Sequence, residues 1–286
     1  MRRARRGPAR PLAALAAAAI ALAWLVALAA AGDAARAGGG AAAPALWELT
    51  EGELDARLAR WQTEHPDLDA RIRAILLARL GTPVRLGCLG EEAPPDTEPV
   101  FRLDEADCTV LVLTTAALAH ARTLEEAVRN MALANYREVE GERPITYETR
   151  LHFTEDRLDA SPYFRDITAE VVPESLLATV TLTLNRKDGG ERLLPIAWER
   201  PITLRYLPAS RVTPALLRSL PRLAGVALVK KATLPIGLAV AHEGVLLDGD
   251  RFIHASSEDR RVVRVSFREY LAKHGRFDGL VFYEFR

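Results

Sequence analysis

Asp107-Cys108-Thr109-Val110-Leu111-Val112-Leu113-Thr114-Thr115-Ala116-Ala117-Leu118-Ala119-His120-Ala121 is the stretch on which the fold turns. After Asp107 it carries no acidic, lysine or arginine side chain. Its first half is rich in β-branched residues, which suits a strand, but fifteen residues is long for one, and the second half is mostly alanine. Length and alanine content favour a helix that is apolar on all sides and therefore buried on all sides. Asp107 is a good N-cap and puts Cys108 in the first turn, where the helix dipole favours an anion. A thiolate there is a nucleophile for carbonyl carbon.

Outward from this helix the pattern changes sides. Upstream, Thr50 with Glu53 reads as a capping box before Leu54, Leu58 and Trp61, and Asp67 caps a helix carrying Leu68, Ile72, Ile75 and Leu76. Gly81-Thr82-Pro83 ends it, and Thr123 with Glu126 opens another helix just after the central one. From about Ser175 the period becomes two, predicting strands over Leu176–Leu184, Leu193–Trp198, Ile202–Leu207, Val226–Val229, Ile236–Val240 and Arg251–His254, with Asp188-Gly189-Gly190 as a turn. A helix over Ser266–Lys273 and a strand over Gly279–Phe285 close the chain. Helices followed by an antiparallel sheet spell an α+β fold.

Residues 1–37 read as a secretory signal peptide. Arg2, Arg3, Arg5, Arg6 and Arg10 precede twenty uncharged residues, Leu12–Ala31, and Ala-x-Ala sites follow. An uncleaved anchor through residues 12–31 is the alternative; in either case the protein is expected in the periplasm or outside the cell. Residues 38–46 form an Ala/Gly linker and 47–286 one domain. Without residues 1–37 the chain keeps 32 basic and 37 acidic side chains, a net charge of −5, which argues against nucleic acid as a partner.

Leu80-Gly81-Thr82-Pro83, Leu89-Gly90-Glu91, Phe101-Arg102-Leu103, Asp107-Cys108-Thr109, Arg150-Leu151-His152-Phe153 with Asp156, Asp166-Ile167-Thr168 and Ile253-His254-Ala255-Ser256 follow one another in an order that resembles a bacterial domain-of-unknown-function family. That family is described as N-acetylmuramoyl-L-alanine amidase-like, within the NlpC-type papain-like cysteine peptidases. The resemblance implies a papain-like domain, the Cys-bearing helix on an antiparallel sheet, that cleaves amides of peptidoglycan peptides without a cofactor. It implies Cys108 as the nucleophile, His254 as the residue that orients the base, and a base ahead of a Gly-containing apolar strand. Against Leu234-Pro235-Ile236-Gly237-Leu238 either Pro235, which cannot accept a proton, stands in the place of this base or a short deletion has removed it. Two readings stay open: a weak or rewired amidase in which His254 itself serves as base, or a non-catalytic member that binds cell-wall peptides or another envelope protein.

Arg150 and Asp107 are candidates for substrate binding, Arg150 through a peptide carboxylate, although a solvated helix face also accounts for it. Cys88 and Cys108 are the only cysteines, twenty positions apart, and in an oxidising compartment they either pair or remain thiols. His152 and Asp156 have the i, i+4 spacing of a helical pair but lack a third ligand, so no metal is expected. His65, His120, His274 and His242, the last in the stretch Ala241-His242-Glu243-Gly244 read as a polar hairpin, suit structural roles.

Overall fold

Two helices open the described chain, each where its capping residues place it. Helix α1 (Glu51–Glu64) starts after Thr50, whose N–H donates to Glu53 Oε2 at 2.8 Å while its hydroxyl accepts from Glu53 N. Helix α2 (Leu68–Ala78) starts after Asp67, whose Oδ1 accepts from Ala70 N at 2.9 Å. The structure, a computed structural model, describes residues 44–89, 94–95 and 101–286; residues 1–37 and residues 38–43 of the linker lie outside them. No helix among the described residues is long and apolar enough to cross a membrane.

The deciding stretch is a helix, α3 (Cys108–Ala119), buried from Val110 to Ala119. Its threonines fit because Thr114 and Thr115 donate their hydroxyls to the carbonyls of Val110 and Leu111, both at 2.6 Å, so no polar atom of theirs is left wanting. Helix α4 (Leu124–Asn135) follows, capped by Thr123. Two short helices, α5 (Thr154–Ala160) and α6 (Thr168–Val171), flank strand β1 (Phe164–Asp166). Then come β2 (Ala178–Leu184), β3 (Arg200–Pro208), helix α7 (Pro214–Ser219), β4 (Leu223–Val229), β5 (Val240–Leu247), β6 (Arg251–Ser256), β7 (Arg261–Ser266), helix α8 (Phe267–Lys273) and β8 (Gly279–Phe285).

The sheet runs β2-β3-β8-β4-β5-β6-β7, with β1 on the far end of β8, and every named pairing is antiparallel. Its centre is covered on both faces, so β4 is buried throughout. Ala227 and Val229 face the core shared with α1 to α4, whereas Val226 and Leu228 face the core made with Leu217 of α7 and Phe267 and Tyr270 of α8. This is the period of two that a strand imposes. The mixed α+β architecture agrees with the sequence reading.

Two expected strands are absent. Residues 193–198 form no ladder, because buried Asn185 accepts from Leu194 N at 2.7 Å and donates to Trp198 O at 2.9 Å, supplying by side chain what a neighbouring strand would supply. Asp188-Gly189-Gly190 does turn the chain, closed by an isolated Arg186–Arg192 bridge. Residues 236–240 are not a strand either: Lys231–Ile236 coil into a 3₁₀ turn that ends at Gly237, whose φ of 77° is left-handed. The strand begins later, at Val240, and takes in the residues read as a polar hairpin.

Candidate functional site

Asp107 caps α3 through a 2.8 Å bond from Val110 N to its Oδ1, and Cys108 follows at the first helical position. Behind it Thr109 donates its hydroxyl to Glu243 Oε1 at 2.9 Å. Glu243 is buried and also accepts from Arg157 Nη2 at 2.5 Å and Tyr283 OH at 2.9 Å. The Tyr283 ring reaches this point because the residue opposite it, on β4, is Gly225; a Cβ there would lie 1.9 Å from the ring. The start of α3 is thereby tied to β5 through a buried charged network.

Glu243 has His242 as its chain neighbour, and alternation along β5 sends the two side chains to opposite faces. Leu228 pairs with His242 and Val229 with Val240, so Ala241 is an extra residue that bulges the strand immediately before the histidine. His242 Nε2 lies 3.0 Å from His254 Nδ1, on β6. The rings stand edge to face, at 88°, and His254 is in turn stacked on Phe252 at 4.9 Å. Gly244 leaves room for that support: a Cβ there would lie 2.6 Å from Ile253 O and 2.7 Å from the Phe252 ring.

Cys108, His242 and His254 all line one cavity of about 400 Å³, walled further by Tyr270 and Phe277. Asp107 borders it and also borders a second cavity of about 230 Å³, lined by Thr109, Asn135, Arg150 and His152.

The electrostatics differ from the sequence expectation. The Cys108 thiol is pushed up to about 12, first by desolvation, then by the Asp107 and Glu243 carboxylates; the Glu243 backbone acts in the opposite direction. Burial and two acids outweigh the helix start. His242 is pushed down to about 3, first by desolvation, then by His254, Arg276 and His274, and His254 down to about 4, again chiefly by desolvation. At neutral pH the resting site therefore holds a thiol and two neutral imidazoles. Alkylation of Cys108 by iodoacetamide should accelerate up to pH 9 and beyond, in protein carrying Cys88→Ser as a control. A plateau between about pH 6 and 7 would instead reveal a thiolate–imidazolium pair.

Several sequence expectations are corrected here. Pro235 does not stand where a base would be: it lies in the 3₁₀ turn and lines a different cavity, and His242, passed over as a structural residue, sits beside Cys108's cavity instead. The signal was present, since His242-Glu243-Gly244-Val245-Leu246 is itself a histidine ahead of a Gly-containing apolar strand. His254 is the partner of that histidine. Arg150 is on no helix face and is not solvated: 2% exposed, it pairs with Tyr136 across an isolated bridge and holds its guanidinium 5.6 Å from that ring. His152 precedes α5 rather than riding on it and its Nε2 meets Tyr147 O at 2.8 Å, while buried Asp156 is paired with Arg137 at 2.6 Å, so the two form no helical ligand pair. Cys88 and Cys108 are not joined in a disulfide. Among the described residues no group of three or more His, Cys, Asp or Glu could hold a metal ion.

A family model described as AmiA-like, N-acetylmuramoyl-L-alanine amidase-like, matches residues 75–277. Among solved structures, a protein of Legionella pneumophila assigned to the DUF1460 family superposes with a TM-score of 0.65 at 20% identity, over 82% of this chain and 95% of that one. An N-acetylmuramoyl-L-alanine amidase of Bacteroides uniformis superposes with a TM-score of 0.62 at 22% identity, over 77% of this chain and 100% of that one. At these identities the likeness is one of fold. A search of the curated proteins gave no match.

Proposed function

This chain belongs to the AmiA-like, N-acetylmuramoyl-L-alanine amidase-like family, and from that premise we propose that it hydrolyses an amide bond of a peptidoglycan peptide, with Cys108 as nucleophile, His242 as general base and His254 as the residue that orients the base. The observation that carries this reading is the 3.0 Å contact between His242 and His254 in the cavity that Cys108 lines. It also motivates placing the domain among the NlpC-type papain-like hydrolases: a cysteine at a helix start, a histidine near the start of a following strand, a polar partner on the next strand.

The chemistry follows from the protonation states. With His242 Nε2–H donating to His254 Nδ1, the other ring nitrogen of His242 keeps its lone pair for the thiol proton. The sulfur attacks the amide carbon as His242 takes that proton; the tetrahedral intermediate collapses, the C–N bond breaks, and the imidazolium returns the proton to the leaving amine. Water, deprotonated by the same imidazole, then adds to the thioester and releases the acid and the free thiol. Because the thiol is raised and the imidazole lowered, proton transfer and attack run together rather than from a standing ion pair.

Incubation of the purified protein with muropeptides, followed by mass spectrometry, tests this, and the muramoyl–L-alanine amide is the first bond to examine. The expected result is a product pair whose masses add up to the substrate plus one water, absent with Cys108→Ala. Binding without cleavage by the unsubstituted protein would favour the non-catalytic alternative. The acid limb of kcat/KM should fall below about pH 5: a base titrates out only when protonated, and His242 lies well under the ~6.5 of an ordinary imidazole. A limb near pH 6.5 would contradict the assignment of His242. We further propose that the protein works in the periplasm or outside the cell, where residues 1–37 would deliver it as a signal peptide.

A further inference from the structure

Three strand ends meet beside His242. Strand β4 stops at Val229, β5 starts at Val240 and β8 starts at Gly279, stitched by Lys230 N to Ala239 O at 2.9 Å and Asp278 N to Val229 O at 2.8 Å. Lys230 and Arg276 leave this junction and line the cavity that holds Cys108. The other charges on the wall are mostly engaged. Lys273 is paired with Glu258, and Asp259 Oδ2 accepts from Ser256 at 2.8 Å. Asp107 and Glu269 also line the cavity, Asp107 with its Oδ1 accepting from Val110 N at 2.8 Å and Glu269 on α8 with Lys273, away from the strand junction in the chain. Among the described residues Lys230 and Arg276 form no ion pair, and the Arg276 guanidinium rests 5.1 Å from the Phe277 ring. Two cations from one strand junction without an ion-pair partner favour an anion there even though acids line the cavity elsewhere, and an arginine supplies a planar fork that fits a carboxylate. The charge of Arg276 is already felt at His242.

We propose that Lys230 and Arg276 form a carboxylate subsite of the Cys108 cavity, so that the substrate carries a free carboxylate within two residues of the cleaved amide. The proposal deepens the amidase reading and rests on it. Peptide chemistry offers two sources for such a group, the α-carboxyl of the residue joined to the cleaved amide or that of an acidic residue next along.

The test is equilibrium binding to the full protein carrying Cys108→Ala. One pair of probes is N-acetylmuramoyl-L-alanine with its carboxyl free or as the carboxamide; the second pair extends this by one glutamate, its free α-carboxyl against the carboxamide. In at least one pair the acid should bind roughly tenfold more tightly than the amide, and adding Arg276→Gln or Lys230→Gln should reduce that ratio to about threefold or less. The pair that shows the preference identifies the source. Ratios near one in both pairs, no binding of any probe at about millimolar concentration, or a preference untouched by both substitutions would overturn the subsite. Cleavage by the Cys108-intact protein separates the two ideas. Equal kcat/KM for acids and amides sinks the subsite and leaves the amidase standing; an acid preference in binding with no cleavage does the reverse.

Discussion

His242→Ala should lower kcat/KM for muropeptide hydrolysis by roughly 10³-fold, within the ~10²–10⁴ that positioned acid–base groups contribute. The loss should appear in kcat, because without His242 the thiol, already raised to about 12, has no acceptor for its proton and the leaving amine has no donor. His254→Ala should cost less, roughly 10–100-fold, since it removes an orienting partner and leaves the acceptor in place. His254→Asn should recover part of that loss by keeping a hydrogen-bonding group toward His242 Nε2. Steady-state kinetics on the three variants decides the matter. An unimpaired His242→Ala protein, or a His254→Ala protein worse than His242→Ala, would mean that the base is His254, acting directly on the thiol.

Arg157→Leu should destabilise the fold by about 3–5 kcal/mol, the usual cost of leaving one partner of a buried pair uncompensated. Arg157 and Glu243 are each about 1% exposed and 2.5 Å apart, so without the guanidinium the carboxylate keeps only the hydroxyls of Thr109 and Tyr283. At about 2–4 °C per kcal/mol for a domain of this size, the melting temperature should fall by roughly 6–20 °C. Combining Arg157→Leu with Glu243→Leu should restore much of the loss, because a buried pair exchanged for apolar side chains of like volume is often near neutral. Denaturant titration of the single and double variants measures both numbers. A single-variant loss under about 1 kcal/mol would show that the pair contributes little to the fold. The double variant should fold and yet hydrolyse poorly, since Thr109 would lose the acceptor that fixes the start of α3 against β5.

How much of this was legible beforehand depends on how local the cause is. The deciding helix was readable because its length, its alanines and its Asp107 cap are properties of one segment, and the same holds for the Thr50 and Asp67 caps. Terminal strand β8 was readable from its short run of apolar and aromatic residues alone. Residues 193–198 looked like a strand because their pattern is strand-like, but the partner they would need is replaced by the side chain of Asn185, far from where a periodicity count looks. His242 was lost to two local signals that pointed elsewhere. Ala241, the bulged residue, breaks the alternation at the head of β5, and the Glu243-Gly244 pair reads as polar turn chemistry unless one knows that Arg157, Thr109 and Tyr283 converge on that acid from elsewhere in the chain. The real turn signal was six residues on, at Asp248-Gly249, where both φ angles are positive, at 51° and 78°. The raised thiol was invisible for the same reason: the helix start is local, whereas the burial and the Glu243 charge that outweigh it come from the sheet.

Asp107 touches both cavities, the larger one with the histidines and the smaller one with Arg150. On the proposed mechanism the nucleophile therefore follows directly after a residue that borders both chambers. A substrate reaching into both would be held on either side of the reacting carbonyl, and that binding energy would count toward the reaction only with the carbonyl at the sulfur. On that mechanism the site would act as a two-sided gauge, measuring what extends from each side of a bond as well as the bond itself, and a substrate clipped on either arm should lose turnover as well as affinity.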